Sequence, residues 1–215
     1  MKTLESSPSR YDKGIKFLTL GKLEKIYDKA VELISPRDQV LDIGCGTGAL
    51  SIRAAMKGAN VKGIDINAGM LEILGNKIKE LKLEDNLRLE EIGIAELGKE
   101  VENQYDFVLS GLCFSELNED EIRFALNQIR RILKVNGQLI IMDETPPKNF
   151  LKRFIYTLLR FPLVILTLIL TQTTTKTVKH LPEKILSTGF TINEVNYFNM
   201  DSFIQVFATK GDSHE

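Results

Sequence analysis

Apolar positions along this chain switch repeatedly between two periods, and the switches divide it into elements. Lys22–Ile34 repeats Leu23, Ile26, Tyr27, Ala30, Val31 and Ile34 at helical spacing and stops before Pro36, which predicts a helix. A short strand follows at Gln39–Ile43, then a glycine loop and a helix over about Ala49–Lys57. The same alternation predicts a strand at Asn60–Ile64, a helix at Ala68–Leu81 and a weaker strand at Leu87–Ile92. Next come a strand at Tyr105–Gly111, a helix at Asp120–Leu133 and a strand at Gln138–Asp143. The chain closes with a helix near Glu183–Ser187 and two strands, Thr191–Phe198 and Ser202–Thr209.

Strands separated by helix-length segments imply right-handed crossovers and a mostly parallel sheet with helices on both faces. The last two strands are joined only by Asn199, Met200 and Asp201, too few residues for a crossover, so they are expected to form an antiparallel hairpin. The predicted fold class is α/β, a sheet of seven strands, mostly parallel with an antiparallel last strand. At 215 residues the chain is read as a single domain, 1–215. Its net charge of −1 gives no global case for nucleic acid. Two cysteines and two histidines supply neither a disulfide framework nor a usual metal set, so no metal is expected. The first residues lack a signal-peptide pattern, which argues for a cytoplasmic protein.

The chemistry concentrates in Val40-Leu-Asp-Ile-Gly-Cys-Gly-Thr-Gly48, between a buried strand and a helix. Glycines at 44, 46 and 48 let the backbone turn tightly and leave no side chain between loop and ligand. Dinucleotide sites favour G-x-G-x-x-G, whereas the spacing here is G-x-G-x-G with Asp42 two residues before the first glycine. A carboxylate beside the loop would repel a pyrophosphate but suits a ligand carrying an ammonium and a sulfonium. That favours S-adenosylmethionine (SAM) over NAD. Asp65 ends the second strand, where an acidic side chain can accept hydrogen bonds from both ribose hydroxyls.

These strings resemble the class I SAM-dependent methyltransferases. Asp42–Gly48 looks like their first motif, and Gly63-Ile-Asp-Ile66 with Met70 like their ribose-binding segment. Tyr105–Ser110 resembles their fourth strand, and Arg131–Gly137 the turn before strand five. The resemblance implies a cofactor site built from Asp42, Gly44, Cys45, Gly46, Thr47, Gly48, Asp65, Ile66, Met70, Ala95, Ser110 and Gly111. By position alone, Tyr11, Arg10 and Tyr27 are assigned to an N-terminal helical cover, residues 1–36, over the cofactor. Gly93-Ile-Ala-Glu96 departs from the family, since Ile94 stands where an acid often contacts the adenine amino group. Asn136 replaces a Pro or Gly in the turn, which a left-handed position tolerates.

Methyl transfer from a sulfonium is an in-line displacement whose thioether leaving group needs no acid, and a base is required only if the acceptor must lose a proton. Glu116, in Phe114-Ser-Glu-Leu117, is the best-placed acidic candidate for a catalytic role. Its alternative reading is a helix cap or a solvated side chain. Asp143 and Glu144 close strand five, where the open readings are facing the acceptor, surface solvation or a hydrogen bond to a loop. Cys45 reads as a small residue filling the glycine turn, and Cys113 as a buried strand-end residue.

Between Thr145 and His180 lies an insertion, about 146–180, with Lys148, Lys152, Arg153, Arg160, Lys176 and Lys179 and no acidic residue. Its apolar stretch around Leu163–Leu170 is too short to span a bilayer. A helical lid over the acceptor, a basic amphipathic surface for a partner or for peripheral membrane contact through 150–175, a dimer seam and a helical pair simply packed on the sheet all remain open, with the lid favoured.

Glu5–Gly14, Leu18–Gly21, Phe114–Leu117 and Thr171–Thr175 resemble the corrinoid protein-associated methyltransferases within the UbiE-like group, whose other members methylate quinone precursors. That resemblance implies a corrinoid acceptor, free or on a partner protein. A lipophilic quinone-like acceptor is the alternative. A non-catalytic SAM-binding partner of a corrinoid protein is a reading from another class.

Overall fold

The computed structural model describes residues 22–147 and 177–211. Arg10, Tyr11 and the body of the insertion, 148–176, lie outside the described residues, so the expectations placed on them are not addressed by the fold.

The described elements run α1 (Lys22–Ala30), β1 (Gln39–Ile43), α2 (Ser51–Met56), β2 (Asn60–Asp65), α3 (Ala68–Leu81) and β3 (Leu87–Glu91). They continue with β4 (Tyr105–Gly111), α4 (Glu119–Ile132), β5 (Leu133–Glu144), α5 (Leu181–Ser187), β6 (Phe190–Phe198) and β7 (Phe203–Lys210). The seven strands form one sheet in the order β3-β2-β1-β4-β5-β7-β6. β1 to β5 pair in parallel. β7 inserts between β5 and β6 and runs antiparallel to both. The short connection across Asn199, Met200 and Asp201 makes the expected hairpin, with all three residues at positive φ.

Alternation of side chains across the sheet produces two apolar layers. On one face Val40, Val61, Leu109, Ile140 and Met142 pack with residues of α1, α2 and α3. On the other, Leu41, Ile43, Ile64, Val108 and Ile141 pack with α4 and α5. α1 is held to its face by polar ties as well. Arg53 of α2 bonds Asp28 at 2.8 Å and also Glu24, and Gln205 Nε2 of β7 donates to the Ile26 carbonyl at 3.0 Å.

α1, α2 and β5 depart from the sequence reading, and the other described elements agree with it to within two residues. α1 stops at Ala30, and the apolar periodicity to Ile34 continues as turns that still bury Val31 and Ile34. α2 is shorter than Ala49–Lys57, because the glycine loop occupies the first positions. β5 begins at Leu133 rather than Gln138. Leu133 pairs with Tyr105, the register slips, and Gln138 pairs with Phe107, so the presumed turn is a bulge within the strand. Asn136 sits there at φ +61°, the left-handed conformation expected for it. Two short 3-10 turns, Ile94–Lys99 and Phe114–Glu116, were not foreseen.

Candidate functional site

The glycine loop leaves β1 at its carboxyl end and folds over the end of β2. The Gly44 and Cys45 amides both donate to the Ile64 carbonyl, at 2.9 and 3.0 Å. The Gly46 amide donates to Asp65 Oδ2 at 2.8 Å. All three glycines have positive φ, at +69°, +52° and +90°. Their surroundings differ in an informative way. A Cβ on Gly44 would lie 2.6 Å from Cys113 Cβ, and one on Gly48 would lie 2.3 Å from Leu74 Cδ1. Among the described residues, a Cβ on Gly46 would meet nothing within 4 Å. Two glycines therefore serve packing, and the middle one faces open space, where a ligand can approach the backbone.

Asp42 departs from its sequence reading. It is fully buried and accepts Ser51 Oγ at 2.5 Å, at the start of α2, instead of standing free beside the loop. Burial pushes its carboxyl up to about 7 against the opposing pull of Ser51, and the charge of Asp65 adds to the rise. Asp65 is also more engaged than expected: Oδ1 accepts the Asn67 amide at 2.8 Å while Oδ2 holds Gly46. Each oxygen retains a second lone pair, which leaves acceptor capacity for a ligand hydroxyl. Asn67 caps α3, its side chain accepting the Met70 amide at 3.2 Å, and this fixes the chain just beyond Asp65.

The remaining expected cofactor residues divide into two groups. Ile66 is 61% exposed, an unusual solvent contact for a large apolar side chain. Its Cγ2 would touch a Cβ on Gly93 at 3.0 Å, which places it beside the 3-10 turn holding exposed Ala95. These residues form an apolar ledge next to Asp65. Ser110 is fully buried, and its hydroxyl donates to the Ile43 carbonyl at 3.0 Å, so its proton is spent tying β4 to β1. Thr47 is buried, and its carbonyl receives Lys77 Nζ at 2.9 Å. A Cβ on Gly111 would contact Leu50, Met142 and, at 3.9 Å, Tyr27, so α1 lies over this end of β4.

Cys45 is buried, with Sγ 3.0 Å from a Cβ placed on Gly63, which fits the reading of a small filler. Cys113 lies beyond the strand end, after Leu112 at φ +59°, and underlies Gly44. Burial raises its thiol above the usual cysteine value, and four carboxylates raise it further: Asp143, Asp65, Glu116 and Asp42. Those four groups come from β5, β2, the turn after β4, and β1. They converge on one region at the carboxyl ends of the strands. Among the described residues, no lysine or arginine forms an ion pair with any of them.

Glu116 faces this region from the Phe114–Glu116 turn, and partial burial followed by the charge of Asp65 raises its carboxyl. It is not the helix cap, since Asn118 and Glu121 form that capping box for α4. Asp143 is the residue that sequence reasoning left undecided. It is fully buried and bonds the loop, accepting the Ser115 amide at 3.0 Å and the Glu144 amide at 2.7 Å. Burial brings its carboxyl up to about 6. It thereby clamps the turn that carries Glu116. Only its strand-end position hinted at this, because the partner is distant in sequence.

The carboxyl ends of the strands, where these acids gather beside the glycine backbone, suit a cationic nucleoside better than a pyrophosphate. Comparison with known proteins agrees. Residues 40–137 match the family described as "Methyltransferase domain". The demethylmenaquinone methyltransferase of Tropheryma whipplei is 32% identical over 130 residues, 60% of this chain and 52% of that protein. The chain thus spans about half the length of that curated relative. A SAM-dependent methyltransferase structure from Aquifex aeolicus superposes with a TM-score of 0.67 at 18% identity, covering 95% of this chain and 99% of that one. The [4+2]-cyclase SpnF also superposes, with a TM-score of 0.69 at 14% identity and 87% and 81% coverage. The described chain has the class I Rossmann-like fold of SAM-dependent methyltransferases, and its glycine-loop half matches the methyltransferase-domain family.

Proposed function

We propose that this chain, read as one domain over 1–215, transfers the methyl group of SAM to a small-molecule acceptor, with a lipophilic quinone-like compound as the favoured acceptor class. The observation that carries the reading is the convergence of Asp42, Asp65, Glu116 and Asp143 around Cys113, beside an open glycine backbone at Gly46. A cluster of acids that pairs with no cation among the described residues favours a ligand that brings its own positive charge. Bound SAM would supply an electrophilic methyl group. Asp65 would hold its ribose hydroxyls, Gly46 would let the backbone approach, and Ile66 with Ala95 would pack against the base. Ile94 replaces the acid often found at the adenine amino group, which leaves backbone groups to recognise that edge.

Glu116 stands where an acceptor would enter. Its raised carboxyl accepts a proton more readily than an ordinary surface glutamate, which suits an acceptor whose hydroxyl ionises as the methyl group moves. The quinone class is favoured because the matched relatives carry names such as demethylmenaquinone methyltransferase and 2-phytyl-1,4-naphtoquinone methyltransferase. The corrinoid acceptor and a corrinoid partner protein rest on four sequence strings, and of these only Phe114–Leu117 lies within the described residues. SpnF shows that this fold also occurs in a cyclase, so the fold by itself does not establish methyl transfer.

The test supplies methyl-labelled SAM with a demethylmenaquinone in its reduced form, and in parallel with cob(I)alamin under anaerobic conditions. Label is expected in the quinone, and Asp65→Ala is expected to lower turnover about tenfold or more by removing a charge-assisted hydrogen bond. Label in the corrinoid alone would move the acceptor to that class. Binding of SAM without transfer to either would favour the non-catalytic reading.

A further inference from the structure

Thr47 lies between Gly46 and Gly48, which have φ of +52° and +90°. Glycine reaches such angles without strain and leaves them as readily, so these residues do not hold the loop in one shape by themselves. Contacts from other segments do. The Gly44 and Cys45 amides reach the Ile64 carbonyl of β2, and the Gly46 amide reaches Asp65. The peptide unit joining Thr47 to Gly48 is held on both sides. Its N–H donates to the Cys45 carbonyl at 2.9 Å, and its carbonyl accepts Lys77 Nζ at 2.9 Å. Lys77 belongs to α3, three residues after Leu74, so the two residues share one face of that helix. Leu74 is the side chain that a Cβ on Gly48 would strike. α3 therefore braces the loop twice, by packing against Gly48 and by a charged hydrogen bond to Thr47.

We propose that Lys77 is a positioning residue for the cofactor: its ammonium fixes the Thr47 carbonyl and so sets the Gly46 backbone that faces the ligand. This deepens the methyltransferase reading and rests on it. The spacing of the glycine motif does not point to Lys77, because the tie spans 30 positions. The sign of its effect separates positioning from simple charge. A lysine near a cationic ligand repels it, so removing the ammonium would tighten SAM binding if charge alone mattered. Removing an anchor instead leaves a looser loop that must be ordered when the ligand binds, and affinity falls. S-adenosylhomocysteine (SAH) lacks the sulfonium charge, so it feels the anchor without the repulsion.

The test is calorimetric titration of the full chain with SAM and with SAH. Lys77→Met keeps a long unbranched side chain of good helix propensity and removes the donor. It is expected to weaken both ligands about tenfold, the scale of a lost hydrogen bond to a charged group. Lys77→Arg restores a charged donor and should bind both within about threefold of wild type. Lys79→Met, which removes an exposed charge from the same helix, should leave both affinities unchanged. Amide exchange of residues 46–48 in the free chain should quicken in Lys77→Met and not in Lys79→Met. Unchanged or tighter SAM binding in Lys77→Met, or an equal loss in Lys79→Met, would overturn the assignment and leave the methyltransferase reading standing. If Lys77→Met does not fold, Lys77→Gln, which replaces the ammonium by a neutral donor, carries the same comparison. Failure of the wild-type chain to bind either ligand would overturn this proposal and the functional reading together.

Discussion

The two ends of the sheet treat buried charge in opposite ways. At the amino ends of the strands, Lys62 of β2 bonds Glu90 at 2.6 Å and Glu100 at 2.7 Å. Tyr105 donates to the other oxygen of Glu100 at 2.6 Å. Burial would raise the Glu100 carboxyl, but Lys62 and Tyr105 outweigh it and hold the group below its ordinary value. Lys134 and Asp106 pair nearby at 2.8 Å. At the carboxyl ends, Asp42 and Asp143 are as deeply buried, yet their partners are hydroxyls and amides, and their carboxyls are pushed up. Paired charge marks a place where the fold is closed. At the carboxyl ends the acids pair with no cation among the described residues, the arrangement on which the proposed site for a positive ligand rests. A cavity of about 220 Å³ also opens at the amino end, lined by Gln39, Asn60, Lys62, Asn86, Arg88 and Tyr105. Lys62 is already paired there with Glu90 and Glu100.

The contrast predicts mutations of opposite sign. Lys62→Ala leaves Glu100 buried without its cation and is expected to cost about 3–5 kcal/mol, read from urea unfolding at unchanged m value. A loss below about 1 kcal/mol would mean that the amino end is not a closed charge network.

The second expectation concerns pH. Asp42 has a folded value near 7 against an ordinary 3.8, so the native state binds more protons than the unfolded chain between those values. Stability therefore falls as pH rises through that window, and the loss is complete above about 7. Asp143, raised to about 6, acts with the same sign. Glu100, held below its ordinary value, acts with the opposite sign. The free protein should lose about 2–3 kcal/mol of stability through Asp42 between pH 5 and pH 8. Asp42→Asn should flatten that part of the profile in thermal or urea unfolding. An unchanged slope in Asp42→Asn would show that this residue is ionised without penalty.

The smallest effect separates ligand space from packing within one loop. Gly46→Ala keeps a positive φ at a cost of about 1–2 kcal/mol but meets no atom, so the fold should survive while SAM affinity drops. Equal SAM affinity in Gly46→Ala and wild type, measured by calorimetry, would remove Gly46 from the ligand-facing surface.

Much of this was legible along the chain because it depends on local chemistry. α3 spans the predicted Ala68–Leu81, since its Asn67 cap and left-handed Lys82 terminus are short-range features. The hairpin followed from three connecting residues, and the glycine loop from its spacing. Other features required partners far away in sequence. β5 reaches back to Leu133 only because Tyr105 offers a strand to pair with. The Phe114–Glu116 turn is held by Asp143, 28 positions from Ser115.

The site shows the same division. By itself the sequence determined the order of strands and helices, the backbone freedom of residues 44–48 and the presence of acids at the strand ends. The tertiary structure decided what those acids do: Asp42 turns inward to Ser51, Asp65 holds the loop through Gly46, Ser110 spends its hydroxyl on β1, and four carboxylates meet around Cys113. Conformational preference is a property of a few adjacent residues. Burial, pairing and the field of neighbouring charges exist only after distant segments have come together.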